Sequence, residues 1–291
     1  MSTNEIERER DDGWVADLFH QPEPFFLIAG PCVLEDDELN IGIAKELVGI
    51  GESLQIPIIY KASFDKANRS QPDAPRGPGL EKGLAQLARV AEASGLPILT
   101  DIHEPWQAKP VAEVCTILQI PAFLCRQTDL IEAAGATGRV INIKKGQWIS
   151  PEEMAGAVAK AQGAGAGAVA VTERGTLFGY GDLIVDMRSF LRLQKATGVP
   201  TIFDGTHSVQ RPGRAGGASG GDPEFTPPLV RAAIAAGVNA LFMEVHPEPE
   251  KGLSDRTNML PLHQLRPLLE EVIAIREALR LTRVDADGGE R

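Results

Sequence analysis

The chain has few cysteines and no long apolar run. Three cysteines occur among 291 residues, and their spacing matches no disulfide framework, so we expect a reducing compartment and place the protein in the cytoplasm. No apolar segment follows a basic N-terminal stretch, which argues against a secretory signal. The most apolar helix-length segment, 155–171, is interrupted by Lys160 and by several glycines. The sequence therefore predicts no transmembrane helix.

The chain also lacks an excess of basic residues. It carries 29 lysines and arginines against 40 acidic residues, which gives a formal net charge of −11. Proteins that bind nucleic acid or membranes need an overall basic face, so we expect neither partner. The segment 61–76 departs from this balance, with Lys61, Lys66, Arg69 and Arg76 against Asp65 and Asp73. A basic pocket in an acidic protein suits a small anionic ligand.

Eight short apolar runs recur along the chain. They are 25–32, 56–64, 97–103, 115–120, 140–145, 168–174, 200–207 and 240–246. Most are separated by a helix-length segment with apolar spacing of three and four, such as 80–93. Strands that alternate with helices imply parallel pairing, and eight such units predict a closed (β/α)8 barrel of the α/β class.

No Pro-rich or Ser-rich linker divides the chain, so we predict a single catalytic domain over residues 14–282. Its first residues, 14–24, are predicted to cap the bottom of the barrel. The polar and charged ends, 1–13 and 283–291, are predicted to be disordered.

Nearly every apolar run ends in charged or hydrogen-bonding residues. These residues are Cys32, Lys61, Asp101, Gln119, Lys144, Arg174, His207 and Glu244. Chemistry in (β/α)8 barrels sits at the carboxyl ends of the strands. The sequence therefore predicts an enzyme with its active site at that end.

Four residues near strands seven, eight and one are candidate metal ligands: Cys32, His207, Glu244 and Asp255. They come together only if the barrel closes, because strand eight then pairs with strand one. A thiolate and an imidazole favour Zn or Fe(II), and carboxylates also accept Mn or Co. His246 shares the strand parity of Glu244 and is the alternative ligand. The alternative for Cys32 is a small buried packing residue.

Polar and cationic residues after strand two form one candidate anion site. They are Lys61, Ser63, Lys66, Asn68, Arg69 and Ser70. Such side chains bind phosphate and carboxylate oxygens, although a solvated loop is the alternative.

A second candidate anion site combines Lys144 and Arg174, which lie at the ends of the neighbouring strands five and six. Gln119 and Gln147 are candidate neutral donors to the same anion. A structural salt bridge between Lys144 and Glu173 is the alternative.

Two further motifs are less specific. Asp101 and His103 share strand parity, so both are predicted to point into the barrel mouth as a base, an orienting group or a satisfied polar residue. The glycine-rich segment 213–221 lacks the Gly-Lys-Ser/Thr of a Walker loop. We interpret it as a lid that is poorly ordered without substrates, with an unremarkable disordered loop as the alternative.

Taken together, these motifs resemble the 3-deoxy-D-manno-octulosonate 8-phosphate synthase family over residues 25–269. The matching stretches are 29–32 (AGPC), 60–70 (YKASFDKANRS), 76–79 (RGPG), 100–103 (TDIH), 119–129 (QIPAFLCRQTD), 142–146, 173–175, 204–212 (DGTHSVQRP) and 242–247 (FMEVHP). The resemblance implies condensation of phosphoenolpyruvate with arabinose 5-phosphate and release of phosphate. The product belongs to lipopolysaccharide sugar biosynthesis, and members of the family tend to be homotetramers.

The resemblance also implies roles for individual residues. The phosphoenolpyruvate-binding residues are Lys61, Ser63, Lys66, Gln119, Lys144 and Arg174, and the sugar-phosphate-binding residues are Asn68, Arg69 and Ser70, in the family across a subunit boundary. Lys66, Asp101, His207 and Asp255 are interpreted as catalytic. Metal-free members carry asparagine in place of Cys32, so the chain resembles the metal-dependent branch, with one divalent ion (Zn, Fe(II), Mn or Co) on Cys32, His207, Glu244 and Asp255.

Other functions are less compatible with the sequence. The related 3-deoxy-heptulosonate 7-phosphate synthases usually have Pro-Arg-Thr where this chain has 67–70 (ANRS), and they use erythrose 4-phosphate. Sialic acid synthases add a C-terminal domain for which the chain has no room. A metal-dependent hydrolase barrel normally shows His-x-His after strand one, and the sequence contains none. A non-catalytic anion-binding barrel remains the alternative outside enzymes.

Overall fold

The structure, a computed structural model, describes residues 13–21, 24–69, 73–178, 180–215 and 218–287. Several predictions therefore fall wholly or partly outside the described residues. The disorder of 1–13 is untested except at Gly13, which is helical, and the disorder of 283–291 is untested over 288–291. The lid at 213–221 is described without residues 216 and 217, and the role of Ser70 lies outside the described residues.

Eight parallel strands form a closed barrel, as predicted. They are β1 Phe26–Gly30, β2 Ile58–Lys61, β3 Ile98–Asp101, β4 Ile117–Ile120, β5 Val140–Lys144, β6 Ala168–Glu173, β7 Thr201–Asp204 and β8 Ala240–His246. Each strand pairs in parallel with the next along the chain. The barrel closes where β1 pairs with β8, in a register that sets Gly30 opposite Glu244. The (β/α)8 prediction is confirmed.

Helices surround the barrel and connect its strands. They are α1 Gly13–His20, α2 Asp37–Leu54, α3 Leu80–Ser94, α4 Ala108–Val114, α5 Thr128–Gly135, α6 Met154–Gly163, α7 Arg188–Thr197, α8 Thr226–Ala235 and α9 Leu265–Asp287. Their ends follow local chemistry. The Asp36 side chain caps α2 by accepting a hydrogen bond from the Leu39 amide. Gly95 ends α3 in a left-handed conformation.

Strand alternation divides the core into two layers. Outward-facing side chains, such as Leu27 and Tyr60, pack against the helices. Inward-facing side chains at the lower end of the strands form the apolar floor of the barrel: Phe26, Ile28, Ile59, Leu99, Ile117, Val140, Ala168, Ala170, Ile202, Ala240 and Phe242. Helix α1 seals this floor from below with Val15, Leu18 and Phe19. The predicted bottom cap is therefore confirmed.

Two segments differ from their sequence predictions. Helix α9 continues through Asp287, so residues 283–287 are helical rather than part of a disordered tail. After Pro267 the segment contains no glycine or proline until Gly288, so nothing in its backbone ends the helix earlier.

The glycine-rich segment forms an antiparallel hairpin rather than an irregular loop. Its strands are Gln210–Ala215 and Ala218–Gly221, and Gln210 pairs with Gly221. The role of this hairpin as a lid stays a prediction. A further short strand, Leu260–Pro261, pairs with the end of β8. None of the helices among the described residues is long and apolar enough to span a membrane.

Candidate active site at the barrel mouth

Polar side chains gather at the barrel mouth because the inward alternation of each strand continues upward from the apolar floor. In β5 the inward positions run Val140, Asn142 and Lys144, and in β8 they run Ala240, Phe242 and Glu244. The residue type therefore changes from apolar to polar along a single strand. Most of the polar side chains at the strand ends are buried, so their polar atoms need hydrogen-bond partners.

The ends of β1 and β2 approach each other closely at Gly30. A Cβ atom at this position would collide with the carbonyl oxygen of Lys61, so only glycine fits. This approach allows Lys61 Nζ to donate to the carbonyl oxygen of Cys32 over 2.9 Å. The side chain of Cys32 is thereby held beside the end of β8.

The predicted metal ligands converge at this place. Cys32 Sγ donates to Asp255 Oδ2 over 2.9 Å. The ligand atoms of Cys32, Glu244 and Asp255 all lie within 4.8 Å of one another, and we call these three residues the thiol–carboxylate cluster. His207 Nε2 lies 3.5 Å from Glu244 Oε2, which places the imidazole at the edge of the cluster. The cluster and the imidazole together match a donor set for a divalent transition metal.

Asp255 adopts an unusual backbone conformation. Its φ is 48°, in the left-handed region that residues other than glycine seldom occupy. The amides of Asn258 and Met259 both donate to its carbonyl oxygen, over 2.9 and 3.2 Å. Such strain persists only where the surrounding structure imposes it, and it concentrates at functional sites.

Glu244 is the charge centre of the mouth. It accepts a hydrogen bond from Lys61 Nζ over 2.6 Å, and Lys66 Nζ lies 3.8 Å from the same oxygen. Burial alone would raise the pKa of Glu244, but His207, Lys61 and Lys66 outweigh it and hold that pKa well below its ordinary value. The carboxylate therefore stays ionised.

Cys32 and Lys66 respond to the same charges in a different way. Burial, together with Asp255 and Glu244, raises the pKa of the Cys32 thiol, so the thiol is neutral and donates to Asp255. Burial disfavours the ammonium form of Lys66, but the acidic groups around it outweigh that penalty and raise its pKa. Lys66 therefore stays protonated at the mouth.

Asp204, at the end of β7, organises the next part of the mouth. Its Oδ2 accepts from Lys144 Nζ over 2.5 Å and lies 2.7 Å from His207 Nδ1. This contact orients the ring so that Nε2 is on the side of Glu244. Lys144 Nζ also lies 3.7 Å from the centre of the Phe242 ring. Burial lowers the pKa of Lys144, and Asp204 opposes that shift.

Arg174 retains an unused donor. Its Nη2 donates to Gln210 Oε1 over 2.5 Å, whereas its Nη1 is buried without a hydrogen-bond partner. The alternative of a structural ion pair at Lys144 is confirmed, but its partner is Asp204 and not Glu173. Glu173 instead lies 3.5 Å from Lys145 Nζ, because adjacent residues of β5 point in opposite directions. A buried guanidinium with a free donor is suited to an anion.

A hydrogen-bonded chain crosses the mouth from β3 to β6. Asp101 accepts from Ser63 Oγ and from Gln119 Nε2. Gln119 Oε1 accepts from Asn142 Nδ2 over 2.8 Å, and Asn142 Oδ1 accepts from Thr172 Oγ1 over 2.7 Å. Burial would raise the pKa of Asp101, but nearby lysines outweigh it and lower that pKa. The chain fixes the amide of Gln119 beside the ionised carboxylate.

The loop after β2 covers one side of the mouth. Arg69 Nε donates to the carbonyl oxygen of Pro75 over 2.9 Å, and its Nη2 donates to that of Leu253 over 3.2 Å. Arg69 thereby joins this loop to the one that carries Asp255. Asn68 is exposed to solvent.

Three further residues considered from the sequence make other contacts. His246, the alternative metal ligand, accepts from the Glu248 amide over 3.0 Å, and its Nε2 lies 3.4 Å from Glu35 Oε1. His103 lies beyond the end of β3, where alternation no longer applies, and its ring packs edge-on against Phe64. Gln147 is buried, and its Oε1 has no hydrogen-bond partner.

Some mouth residues were missed from the sequence. Asp204 lies within the seventh apolar run, 200–207, and Asn142 interrupts the fifth at an inward position, so strand parity could have found both. Gln210 lies beyond a strand, and the sequence carries no signal for its position. Its importance is visible only in its contacts with Arg174 and Asp255.

Comparison with known proteins agrees with this geometry. Residues 19–280 match the model of the DAHP synthetase I family. A 2-dehydro-3-deoxyphosphooctonate aldolase from a Cyanothece strain is 54% identical over 257 residues, which are 88% of this chain and 94% of that protein. One of the same name from Syntrophotalea carbinolica is 52% identical over 262 residues, 90% of this chain and 94% of that protein. The chain belongs to the DAHP synthetase I family, together with these 2-dehydro-3-deoxyphosphooctonate aldolases.

Proposed function

We propose that the protein condenses phosphoenolpyruvate with D-arabinose 5-phosphate and water to give 3-deoxy-D-manno-octulosonate 8-phosphate and phosphate. The observation that carries this proposal is that two cationic regions and the thiol–carboxylate cluster share one barrel mouth. One region contains Lys144 and Arg174, and the other is the loop with Lys66 and Arg69. Two anionic substrates need two such regions. Relatives that share about half of the chain's residues bear the name of this enzyme.

Phosphoenolpyruvate is proposed to bind on the β5–β6 side. The buried Nη1 of Arg174 and the ammonium of Lys144 bind its phosphate, because charge-assisted bonds in a buried site are strong. Gln119, held in place by Asp101 and Asn142, adds a neutral donor. Lys61 and Ser63 lie along the substrate toward its carboxylate.

The sugar phosphate is proposed to bind under the loop after β2. Asn68, Arg69 and Ser70 hold its phosphate, and the aldehyde end points toward Lys66. The guanidinium of Arg69 already bridges two carbonyl oxygens, so its plane is fixed before substrate binds.

The chemistry then requires one new carbon–carbon bond. The enol carbon of phosphoenolpyruvate attacks the aldehyde carbon, and the Lys66 ammonium supplies the proton that the aldehyde oxygen takes up. The oxygen of water joins the second carbon of phosphoenolpyruvate and returns a proton to Lys66. The bond from that carbon to the phosphate oxygen then breaks, while the new hydroxyl becomes the ketone and passes its proton to the departing phosphate. Lys144 and Arg174 stabilise this phosphate.

The donor set at the mouth fits one divalent ion: Zn, Fe(II), Mn or Co. Cys32, Glu244, Asp255 and His207 would hold it, since their ligand atoms already lie close together. When bound, the ion would act as a Lewis acid toward the aldehyde oxygen. Asp204 holds the His207 ring with Nε2 toward Glu244, and Asp101 orients Ser63 and Gln119 on the opposite side.

Exposed aromatic side chains around the mouth loops support the proposed homotetramer. They are Trp106, Phe123, Trp148, Phe178 and Tyr180. Clusters of exposed apolar side chains are typical of surfaces that contact another protein. Light scattering of the purified protein checks this, and a stable monomer at working concentrations would contradict it.

The activity is tested by measuring phosphate release from phosphoenolpyruvate with either sugar phosphate. We expect turnover with arabinose 5-phosphate and much slower turnover with erythrose 4-phosphate. Equal or faster turnover with erythrose 4-phosphate would instead make the protein a 3-deoxy-D-arabino-heptulosonate 7-phosphate synthase.

The metal is tested by chelation and by Cys32→Asn. Exhaustive chelation should abolish turnover without unfolding the barrel, because the cluster lies above the apolar floor. Cys32→Asn should weaken metal binding, whereas Cys115→Ala, at another buried cysteine, should not. Full activity after chelation, with no metal detectable, would make Cys32 a packing residue.

A further inference from the structure

Gln210 connects the two chemically distinct halves of the barrel mouth. Its Oε1 accepts from Arg174 Nη2 over 2.5 Å, and its Nε2 donates to Asp255 Oδ1 over 3.0 Å. The side chain is buried, and its backbone begins the hairpin by pairing with Gly221. A single amide therefore joins a residue of the β5–β6 anion side to a residue of the thiol–carboxylate cluster.

The two partners specify the chemistry of this position. A guanidinium only donates and an ionised carboxylate only accepts, so the connecting group must accept at one end and donate at the other. Glutamine does both without a charge. Glutamate would lose the donor and bring a further negative charge beside Asp255 and Glu244. Methionine, of similar length, would lose both bonds.

These two bonds determine which atoms of the partners stay available. Gln210 occupies Oδ1 of Asp255, and Oδ2 then faces Cys32 Sγ at 2.9 Å. Gln210 also occupies Nη2 of Arg174, and Nη1 stays buried without a partner. The amide thus turns one carboxylate oxygen toward the cluster and leaves one guanidinium nitrogen for an anion.

We infer that Gln210 is a positioning residue that couples anion binding at Arg174 to divalent-cation binding at the thiol–carboxylate cluster. An anion on Nη1 fixes the guanidinium, which fixes the amide and in turn the carboxylate of Asp255. The conformational entropy lost in ordering these three side chains is then lost only once, whichever ligand binds first. Each ligand therefore increases the affinity for the other. Thermodynamic linkage requires the two increases to be equal. This inference rests on the proposed function for the identity of the two ligands.

The coupling is measured by binding, without turnover. The affinity of the protein for Mn²⁺ is determined by competition with a chelator, with and without saturating inorganic phosphate. In the wild type we expect phosphate to tighten Mn²⁺ binding by about tenfold, within the usual range for coupled sites. In Gln210→Met the ratio should fall to about one, although each ligand alone still binds.

Two further variants complete the test. Gln194→Met removes an amide at the opposite end of the barrel, bonded to Gly237 and Asn239, and should leave the coupling intact. Gln210→Glu keeps an acceptor for Arg174, so it should fold even if Gln210→Met does not. It should abolish the coupling, because a carboxylate cannot donate to Asp255.

Unchanged coupling in both Gln210 variants would overturn the inference, since the two ligands would then affect each other directly. A wild type without coupling, or without Mn²⁺ binding, would overturn it as well. The phosphate-release assay on the same wild-type preparation separates these results from a failure of the proposed function. Turnover with arabinose 5-phosphate would leave the function standing while the coupling fails.

Discussion

The apolar floor and the polar mouth are built on the same strands and differ only in residue type. In β2, Ile59 faces the floor and Lys61, two residues later, faces the mouth. At the floor, each of the larger apolar side chains contributes about 1.5–3 kcal/mol through removal of apolar surface from water. At the mouth, buried charges roughly break even, because the cost of desolvation offsets their mutual attraction. Residues at one end of the barrel therefore provide stability, and residues at the other end provide the polar groups for chemistry.

The pairing of charges makes this separation possible. Two ion pairs at the strand ends join opposite charges: Glu244 with Lys61 and Asp204 with Lys144. The exception is Arg174 Nη1, which is buried without a hydrogen-bond partner. A buried donor without a partner has already lost its hydration. The site is therefore preorganised to bind an acceptor atom of a ligand. The comparison predicts that changes at the mouth affect catalysis and changes at the floor affect stability.

Arg174→Met is expected to have the largest effect. Loss of a buried charged donor to phosphate costs about 4 kcal/mol, so kcat/KM for phosphoenolpyruvate should fall by about a thousandfold. Steady-state kinetics with arabinose 5-phosphate in excess measures this. Arg192→Met, on the outer surface in an exposed pair with Glu152, is the matched control and should change kcat/KM little. A loss of less than tenfold in Arg174→Met would place the anion elsewhere.

Phe26→Ala at the floor should reduce stability and leave catalysis unchanged. Truncation of this fully buried ring should lower the free energy of unfolding by about 3–5 kcal/mol, measured by denaturant titration. The kcat and KM of the folded protein should stay close to wild type. Phe225→Ala, at an exposed ring, should change the stability by less than about 1 kcal/mol. A large change in kcat at constant stability would break the separation of floor from mouth.

Lowering the pH should reduce the stability that the mouth residues contribute and leave the contribution of the floor residues unchanged. The pKa of Asp101 is lower in the folded protein than its ordinary value of 3.8, so the stability it confers is present above that value and is lost as pH falls. Asp101→Asn should remove on the order of 2 kcal/mol of the stability that the wild type loses between pH 5 and pH 2. Phe26→Ala should lower the free energy of unfolding equally at every pH, so the slope of stability against pH should not change. Parallel curves for Asp101→Asn and wild type would contradict the assignment.

Arg69→Lys, in the loop at the outer edge of the mouth, should have the smallest effect. Lysine cannot reproduce the planar fork that reaches the carbonyl oxygens of Pro75 and Leu253. The KM for arabinose 5-phosphate should rise by about tenfold or less, and the KM for phosphoenolpyruvate should change little. A selective loss of phosphoenolpyruvate binding would assign Arg69 to the other anion site.

The sequence predicted the barrel because each strand carries its own periodic signal. Alternation placed Lys61, Asp101, Lys144 and Glu244 inward, and barrel closure brought Cys32 beside β8. These features depend on regular backbone geometry, which the pattern of apolar residues specifies. Barrel closure brought the four candidate metal ligands together, although Asp255 lies in the loop after β8 rather than on a strand.

Features outside regular strands were not predictable in this way. The positive φ of Asp255 depends on hydrogen bonds within its own loop. His246 has the parity of Glu244, but the short strand Leu260–Pro261 pairs at this end of β8. The position of Gln210 follows from the hairpin, whose pairing the glycine-rich sequence did not reveal. In each case a tertiary contact determines the position of the side chain.

The most direct test of the division between floor and mouth is a crystal structure of the protein with phosphoenolpyruvate bound. The account predicts its phosphate at the mouth, within hydrogen-bonding distance of Arg174 Nη1 and Lys144 Nζ. A different cation-lined space exists at the opposite end of the barrel, where a cavity of about 490 Å³ is lined in part by His20, Arg276 and Arg280. Phosphoenolpyruvate bound in that cavity, with the mouth empty of ligand, would contradict the account.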